Sequence, residues 1–124
     1  ETGASATMAP GAFMIECSTI SHGQSERLAT AARGKQLRYI DCPVNGPPAS
    51  AAKGELTLLV GAAENDLDAA RPLLEVISTA ILHFGPTGTG TAYKLINNLL
   101  GAVHVAATAE AAPRRQRSPR PDGT

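Results

Sequence analysis

Aromatic side chains are almost missing from this chain. It has two tyrosines, two phenylalanines and no tryptophan in 124 residues. That scarcity excludes a stacking platform for single-stranded nucleic acid. Apolar residues still make up 43% of the sequence, so the core has to be built from Ala, Leu, Val and Ile, as in many α/β proteins. Net charge is also missing, because 11 basic residues cancel 11 acidic ones. Nothing in the balance draws the protein toward nucleic acid, an anionic membrane or an acidic partner. A small molecule or another subunit is the expected partner. The four arginines of the tail have no folded basic face behind them.

Cysteine is scarce too. Cys17 and Cys42 each end an apolar run, a placement that predicts reduced, buried thiols rather than a disulfide framework, and with them a cytosolic compartment. No Cys-x-x-Cys or His-x-x-x-His spacing accompanies them. His22, His83 and His104 fall on a loop, a strand and a helix, so no metal is expected. The start, ETGASATMAPGAFM, has no basic region followed by a long apolar run, and no segment approaches the roughly 18 apolar residues of a membrane span. The chain therefore reads as unprocessed and without a membrane partner. No internal repeat supports a solenoid or a propeller.

One further absence bears on function. There is no strand, GxGxxG turn and helix of the kind that brings a pyrophosphate to a helix N-terminus. The compact run Gly85 to Gly90, GPTGTG, follows a strand and precedes a helix. It lacks both the dinucleotide spacing and the Gly-Lys-Ser/Thr ending of a P-loop.

What is present is an alternation of short β-rich runs with helical periods, the order a layered α/β domain produces. Phe13 to Cys17 is the first strand, and a helix is expected from about Gln24 to Arg33, with Gly34 as its stop. Leu37 to Val44, LRYIDCPV, gives the next strand, closed by NGPP, so a loop starts near Asn45. The small-residue stretch ASAAKG leads to a strand over Glu55 to Val60. A helical segment then runs from Glu64 to about Thr79, with a kink or a division at Pro72. Ile81 to Phe84 is the last strand. GPTGTGT reads as a flexible lead into a long helix from about Ala92 to Ala112, where Leu95, Leu99, Val103 and Ala106 recur at helical spacing. The final PRRQRSPRPDGT has four arginines, three prolines and no apolar residue, and is expected to be disordered.

The chemistry concentrates in GTGTAYKLINN. With a helix starting near Thr91, Lys94 falls in its first turn, where the positive end of the helix dipole and desolvation in a cleft both disfavour a second positive charge. A neutral amine there can accept a proton. Asn97 and Asn98 lie three and four residues on, flanking Lys94 on one face, where they could hold a substrate hydroxyl or carboxylate. Gly88 and Gly90 would let the backbone approach a ligand closely. Read alone, Lys94 is a lysine snorkelling from an amphipathic helix, NGPP is a turn, and Ser18 and Thr19 are hydroxyls that cap the next helix.

Taken in order, IECSTIS, YIDCPVNGPPASAAKGELTLLVG and FGPTGTGTAYKLINN give the chain a different meaning. From about Pro10 to Ala111 it resembles the β-hydroxyacid dehydrogenase superfamily, which includes the 3-hydroxyisobutyrate and 6-phosphogluconate dehydrogenases. The shared pattern is D-x-S-T, then D-A-P-V-S-G-G leading to G-x-L-T-x-x-V-G-G, then G-x-G-x-x-x-K-x-x-x-N. The resemblance implies the second half of a Rossmann-type nucleotide-binding domain, α/β in class, running into a long interdomain helix. The implied boundaries are 1–90 for the domain part, 91–112 for the helix start and 113–124 for the tail. It implies NAD or NADP as cofactor and hydride exchange with a 3-hydroxy acid. Lys94 would be the proton-transfer residue, Asn98 and Asn97 substrate contacts, and Ser18 and Thr19 cofactor contacts. The turn Asn45, Gly46 and Pro47 matches the place where relatives bind the substrate carboxylate. Pro47 departs from the pattern and offers no backbone N–H.

The missing glycine turn and the missing helical second domain imply a fragment or truncated product. A parallel sheet with an uncovered edge and a last helix with an unpartnered apolar face would favour weak stability and association, homo-oligomers included. The competing reading is a non-catalytic α/β remnant that acts as an interaction or dimerisation module.

Overall fold

The computed structural model describes residues 3–112. The tail expected to be disordered lies outside the described residues. After a short 3-10 turn at Ala4–Ala6, the elements are β1 Phe13–Glu16, α1 His22–Gly34, β2 Arg38–Asp41, β3 Val44–Asn45, α2 Pro48–Lys53, β4 Leu56–Gly61, α3 Glu64–Leu74, β5 Ser78–Gly85 and α4 Thr89–Ala111.

Two strand-helix-strand units form the body. β1 and β2 are parallel, with Phe13 to Glu16 opposite Arg38 to Asp41, and α1 crosses between them. β4 and β5 are likewise parallel, with α3 as the crossover. The two units meet antiparallel, through Asp41 opposite Gly61 and through Val44 and Asn45 opposite Leu58 and Thr57. The expected parallel sheet is therefore mixed. The cause is the short link between β3 and β4, residues 46–55. A parallel return needs a dozen residues or more, whereas an antiparallel one does not.

Period-two alternation along the strands covers both faces of this sheet. Phe13, Ile15, Ile40 and Cys42 point to one side and pack with Leu58, Val60, Leu67, Ala70 and Leu74 under α3. Met14 and Tyr39 point to the other side and pack with Ala29 and Ala32 of α1. Arg38 ties the first face to the start of α3. Its Nε donates to Asp66 at 2.7 Å, its Nη2 donates to the Asn65 carbonyl at 3.0 Å, and the guanidinium lies 4.5 Å over the Phe13 ring.

Local rules explain most boundaries. α1 starts where the Ser21 hydroxyl accepts from the Gln24 N–H at 3.2 Å, and it ends at Gly34 as expected. The cap is Ser21, not Ser18 or Thr19. The expected strand Leu37–Val44 is divided because Pro43 has no N–H for the ladder, although its carbonyl still accepts from Leu59. Asn45 belongs to β3 rather than to a loop. Ala49 to Lys53 of the ASAAKG stretch are helical within α2, Gly54 is its left-handed cap, and Pro48 takes the first helical position, where a missing N–H costs nothing.

α3 stops at Leu74, short of the expected Thr79, as one helix with Pro72 in its last turn. Ser78 and Thr79 already belong to β5. The β-branched residues around them favour the extended chain, and Ser78 pairs with Leu56 of β4. α4 begins at Thr89 rather than Ala92, so the glycine-rich lead is its cap and first turn. Along the helix Leu95, Ile96, Leu99, Leu100, Val103 and Val105 are exposed. No described helix is long and apolar enough to cross a membrane.

Two glycines on α4 should respond oppositely to alanine. A Cβ at Gly90 would lie 2.3 Å from the Leu59 carbonyl oxygen, whereas one at Gly101 meets nothing within 4 Å. Gly90→Ala is expected to destabilise by roughly 3 kcal/mol, and Gly101→Ala to stabilise by up to about 1 kcal/mol through helix propensity. Urea unfolding midpoints of the two variants check both signs.

Candidate active site

The site is organised by one buried carboxylate. Asp41, at the end of β2, is fully buried. Its Oδ2 accepts from the backbone N–H groups of Gly88 at 3.0 Å and Thr91 at 2.9 Å, and its Oδ1 accepts from the Thr91 hydroxyl. The first N–H groups of a helix have no partner within it, and they carry the positive end of its dipole. Asp41 supplies both the acceptor and the charge from a strand some fifty residues away in sequence. It does the work of an N-cap that Gly88 cannot do.

The glycines of GTGT serve this contact. Gly61 and Gly90 touch backbone to backbone: a Cβ on Gly61 would come 2.8 Å from the Gly90 nitrogen and 2.9 Å from Asp41 Oδ2. Gly88 has φ +93 and lies under the His22 ring, 2.7 Å from where a Cβ would sit, while its carbonyl faces His22 Nδ1 at 3.2 Å. Gly88 and Gly90 therefore bring α4 against α1 and β4.

With the helix beginning at Thr89, Lys94 lies in the second turn instead of the first. The dipole effect fades beyond the first turn, so hydrogen bonding defines the amine. Lys94 Nζ donates to the Val44 carbonyl at 2.8 Å and to Asn45 Oδ1 at 2.6 Å. Thr91 is fixed at Asp41, and three residues further along α4 the helix has risen only about 4.5 Å. Three residues along the strand from Asp41 to Val44 cover about 10 Å. The lysine stem spans the difference.

The structure thus joins two expected site residues, Lys94 and Asn45, in one contact. Gly46 follows directly, with φ +139 and Leu56 packed beneath it, and Pro47 caps α2. Asn97 and Asn98 lie one turn beyond Lys94 on α4 and are exposed. Ser18 and Thr19 are exposed on the loop after β1, where the Ser18 N–H donates to the Glu16 carboxylate at 2.8 Å. Neither comes within hydrogen-bonding distance of Lys94 among the described residues. Because Ser21 is the cap of α1, both hydroxyls remain available to a ligand. Cys42 is buried as expected, but Cys17 is exposed. Among the described residues no group of three His, Cys, Asp or Glu side chains is placed to hold a metal ion.

Asp41 was not singled out by sequence reasoning. Its signal is a lone carboxylate in the apolar strand LRYIDCPV, at the position that opens the D-A-P-V pattern.

Two βαβ units, with the Ser18 and Thr19 hydroxyls after β1 and the Lys94 amine on the long helix α4, define a class, the Rossmann-like α/β domains. Comparison with known proteins sharpens it. Residues 1–85 match the model of the NAD binding domain of 6-phosphogluconate dehydrogenase. The NAD-dependent L-serine dehydrogenase of Pseudomonas aeruginosa is 43% identical over 111 residues, which is 90% of this chain and 37% of that protein. A probable mitochondrial 3-hydroxyisobutyrate dehydrogenase of Dictyostelium discoideum is 36% identical over 90% of this chain and 35% of its own length. The solved 3-hydroxyisobutyrate dehydrogenase of Mycobacterium tuberculosis with L-serine superposes with a TM-score of 0.82 at 36% identity, over 86% of this chain and 37% of that one. The chain belongs to the β-hydroxyacid dehydrogenase superfamily, as a part of its NAD-binding domain that runs into the long helix. It spans about 37% of the length of these relatives.

Removing the Asp41 carboxylate should be costly. Asp41→Ala leaves two buried N–H groups and a hydroxyl without their acceptor, and is expected to destabilise by about 3 kcal/mol or more. Asp41→Asn keeps the shape and one acceptor oxygen, and should fall between alanine and the native residue. Denaturant unfolding followed by circular dichroism checks the order; equal stability of all three would refute the role given to this carboxylate.

Proposed function

We propose that this chain forms half of the active site of an NAD- or NADP-dependent 3-hydroxy acid dehydrogenase, with Lys94 as the general acid/base. The observation that supports it best is the way Lys94 is held. Two N–H groups of Nζ are engaged, by the Val44 carbonyl and Asn45 Oδ1. One tetrahedral position is left for a ligand.

In the neutral amine that position is a lone pair, which takes the proton of a substrate hydroxyl. In the ammonium it is the N–H that returns a proton to a carbonyl oxygen. The nicotinamide, when bound, exchanges a hydride with the carbon that bears this oxygen. Because Asn45 Oδ1 is occupied by Lys94, the amide NH2 of Asn45 is free to donate to the substrate carboxylate, together with the Gly46 N–H. Pro47 contributes no donor there. Asn98 and Asn97 hold the substrate from the helix side, and Ser18 and Thr19 meet the nicotinamide end of the cofactor. The residues present suit that end of a dinucleotide. The pyrophosphate would need the glycine-rich turn that this sequence does not contain.

Joining the chain to the flanking segments of its Pseudomonas aeruginosa relative provides the test. The chimera is expected to oxidise a 3-hydroxy acid such as L-serine, and Lys94→Ala to lower kcat by about 10²- to 10⁴-fold with little change in cofactor affinity. Turnover within a few-fold of the parent would remove Lys94 from the role of acid/base. Absence of cofactor binding by a folded chimera would favour the non-catalytic remnant.

The isolated chain should self-associate through α4. Leu99 is 64% exposed, Ile96 57% and Val103 53%, a stripe on one helix face that water covers poorly. Size-exclusion chromatography with light scattering is expected to give species larger than a monomer, reduced by Leu99→Glu with Val103→Glu. A monomer at high micromolar concentration would contradict it.

A further inference from the structure

Cys17 and Cys42 stand next to each other across neighbouring strands. β1 and β2 are parallel, with Ile15 opposite Ile40 and Glu16 opposite Asp41. The next pair in register is Cys17 and Cys42, and the Cys42 N–H donates to the Glu16 carbonyl at 2.9 Å. Phe13, Ile15, Ile40 and Cys42 share one face, and period two puts Cys17 on it as well. Adjacent parallel positions lie within the Cα separation that a disulfide spans. Exposure divides the pair, since Cys17 is open to solvent and Cys42 is fully buried.

We propose that Cys17 and Cys42 form a redox-active dithiol, in which Cys17 meets the oxidant and Cys42 resolves it as an intramolecular disulfide. With a hydroperoxide as oxidant, the Cys17 thiolate attacks the peroxide oxygen, the O–O bond breaks, and Cys17 becomes a sulfenic acid while the peroxide leaves as water or an alcohol after taking a proton. The Cys42 sulfur then attacks the Cys17 sulfur, the S–O bond breaks, and the departing hydroxide takes the Cys42 proton to leave as water. Two thiols are oxidised and one peroxide is reduced. A thiol reductant reverses the step.

The surroundings prepare the two sulfurs for different roles. Hydrogen bonding from the Cys42 thiol brings the Cys17 thiol down to about 7, against the opposing effects of burial and the Glu16 charge. The same hydrogen bond, together with burial and the charges of Cys17 and Asp41, pushes the Cys42 thiol upward. Cys42 therefore keeps its proton until Cys17 is oxidised.

The test uses the chain as it stands. One equivalent of hydrogen peroxide at neutral pH is expected to remove both thiols together, without formation of disulfide-linked dimers. Non-reduced peptide mapping should find Cys17 joined to Cys42, and dithiothreitol should restore both thiols. Before oxidation Cys17 should be alkylated by iodoacetamide about tenfold faster than an ordinary exposed thiol at pH 7. In Cys42→Ser, a second equivalent of hydrogen peroxide should carry Cys17 from sulfenic to sulfinic acid. In the unsubstituted chain, oxidation of Cys17 to sulfinic acid with Cys42 still free, or Cys17-linked dimers as the main product, would overturn the proposal.

Discussion

The buried carboxylate of Asp41 is the constraint on which the rest of the arrangement depends. It closes the end of β2, marks the point where the two parallel units meet antiparallel, and holds the first turn of α4 by two backbone N–H groups and the Thr91 hydroxyl. A carboxylate placed so deep is tolerated because both its oxygens accept hydrogen bonds, from the Gly88 and Thr91 N–H groups at the positive end of α4 and from the Thr91 hydroxyl. Once it is in place, the direction of α4 across the sheet is set. So is the distance Lys94 must cover to reach β3.

From that anchor the candidate site follows by geometry. Thr91 fixes the start of α4 at Asp41, and further along the helix the long Lys94 side chain reaches Val44 and Asn45. The pairing gives each partner a direction: the amine keeps one free position, and the amide of Asn45 turns its donor side outward. On the other side of the sheet end, the Ser18 and Thr19 hydroxyls stay unclaimed because α1 takes its cap from Ser21. The candidate half-site is thus a set of polar groups on α4, on β3 and on the loop after β1.

Much of this was legible in the sequence. The alternation of strands and helices was, because apolar periodicity records which faces are buried, and Gly34 and Pro48 act through local geometry. Lys94, Asn45, Gly46, Ser18 and Thr19 were singled out as candidates through the order of three motifs rather than through any one of them. What could not be read was long-range. The start of α4 at Thr89 depends on Asp41, and no local signal in GPTGTGT distinguishes a loop from a helix capped by a distant strand. The end of α3 was misjudged because Val76 to Thr79 can follow a helix or join a ladder, and pairing with β4 decides it. The mixed sheet was hidden in a loop length. The proximity of Cys17 and Cys42 was hidden in strand register.

The contact between Gly61 and Gly90 has a consequence for how this domain can change over time. At Gly46 an added methyl would meet the end of the Leu56 side chain, so trimming Leu56 in a second mutation would relieve that contact and leave only the strain of a backbone held at φ +139. Between Gly61 and Gly90 the nearest obstacles are main-chain atoms, which every amino acid carries, with the Asp41 carboxylate beside them. A lesion there has no compensating partner elsewhere in the chain, and genetic screens for intragenic suppressors should return only reversion to glycine.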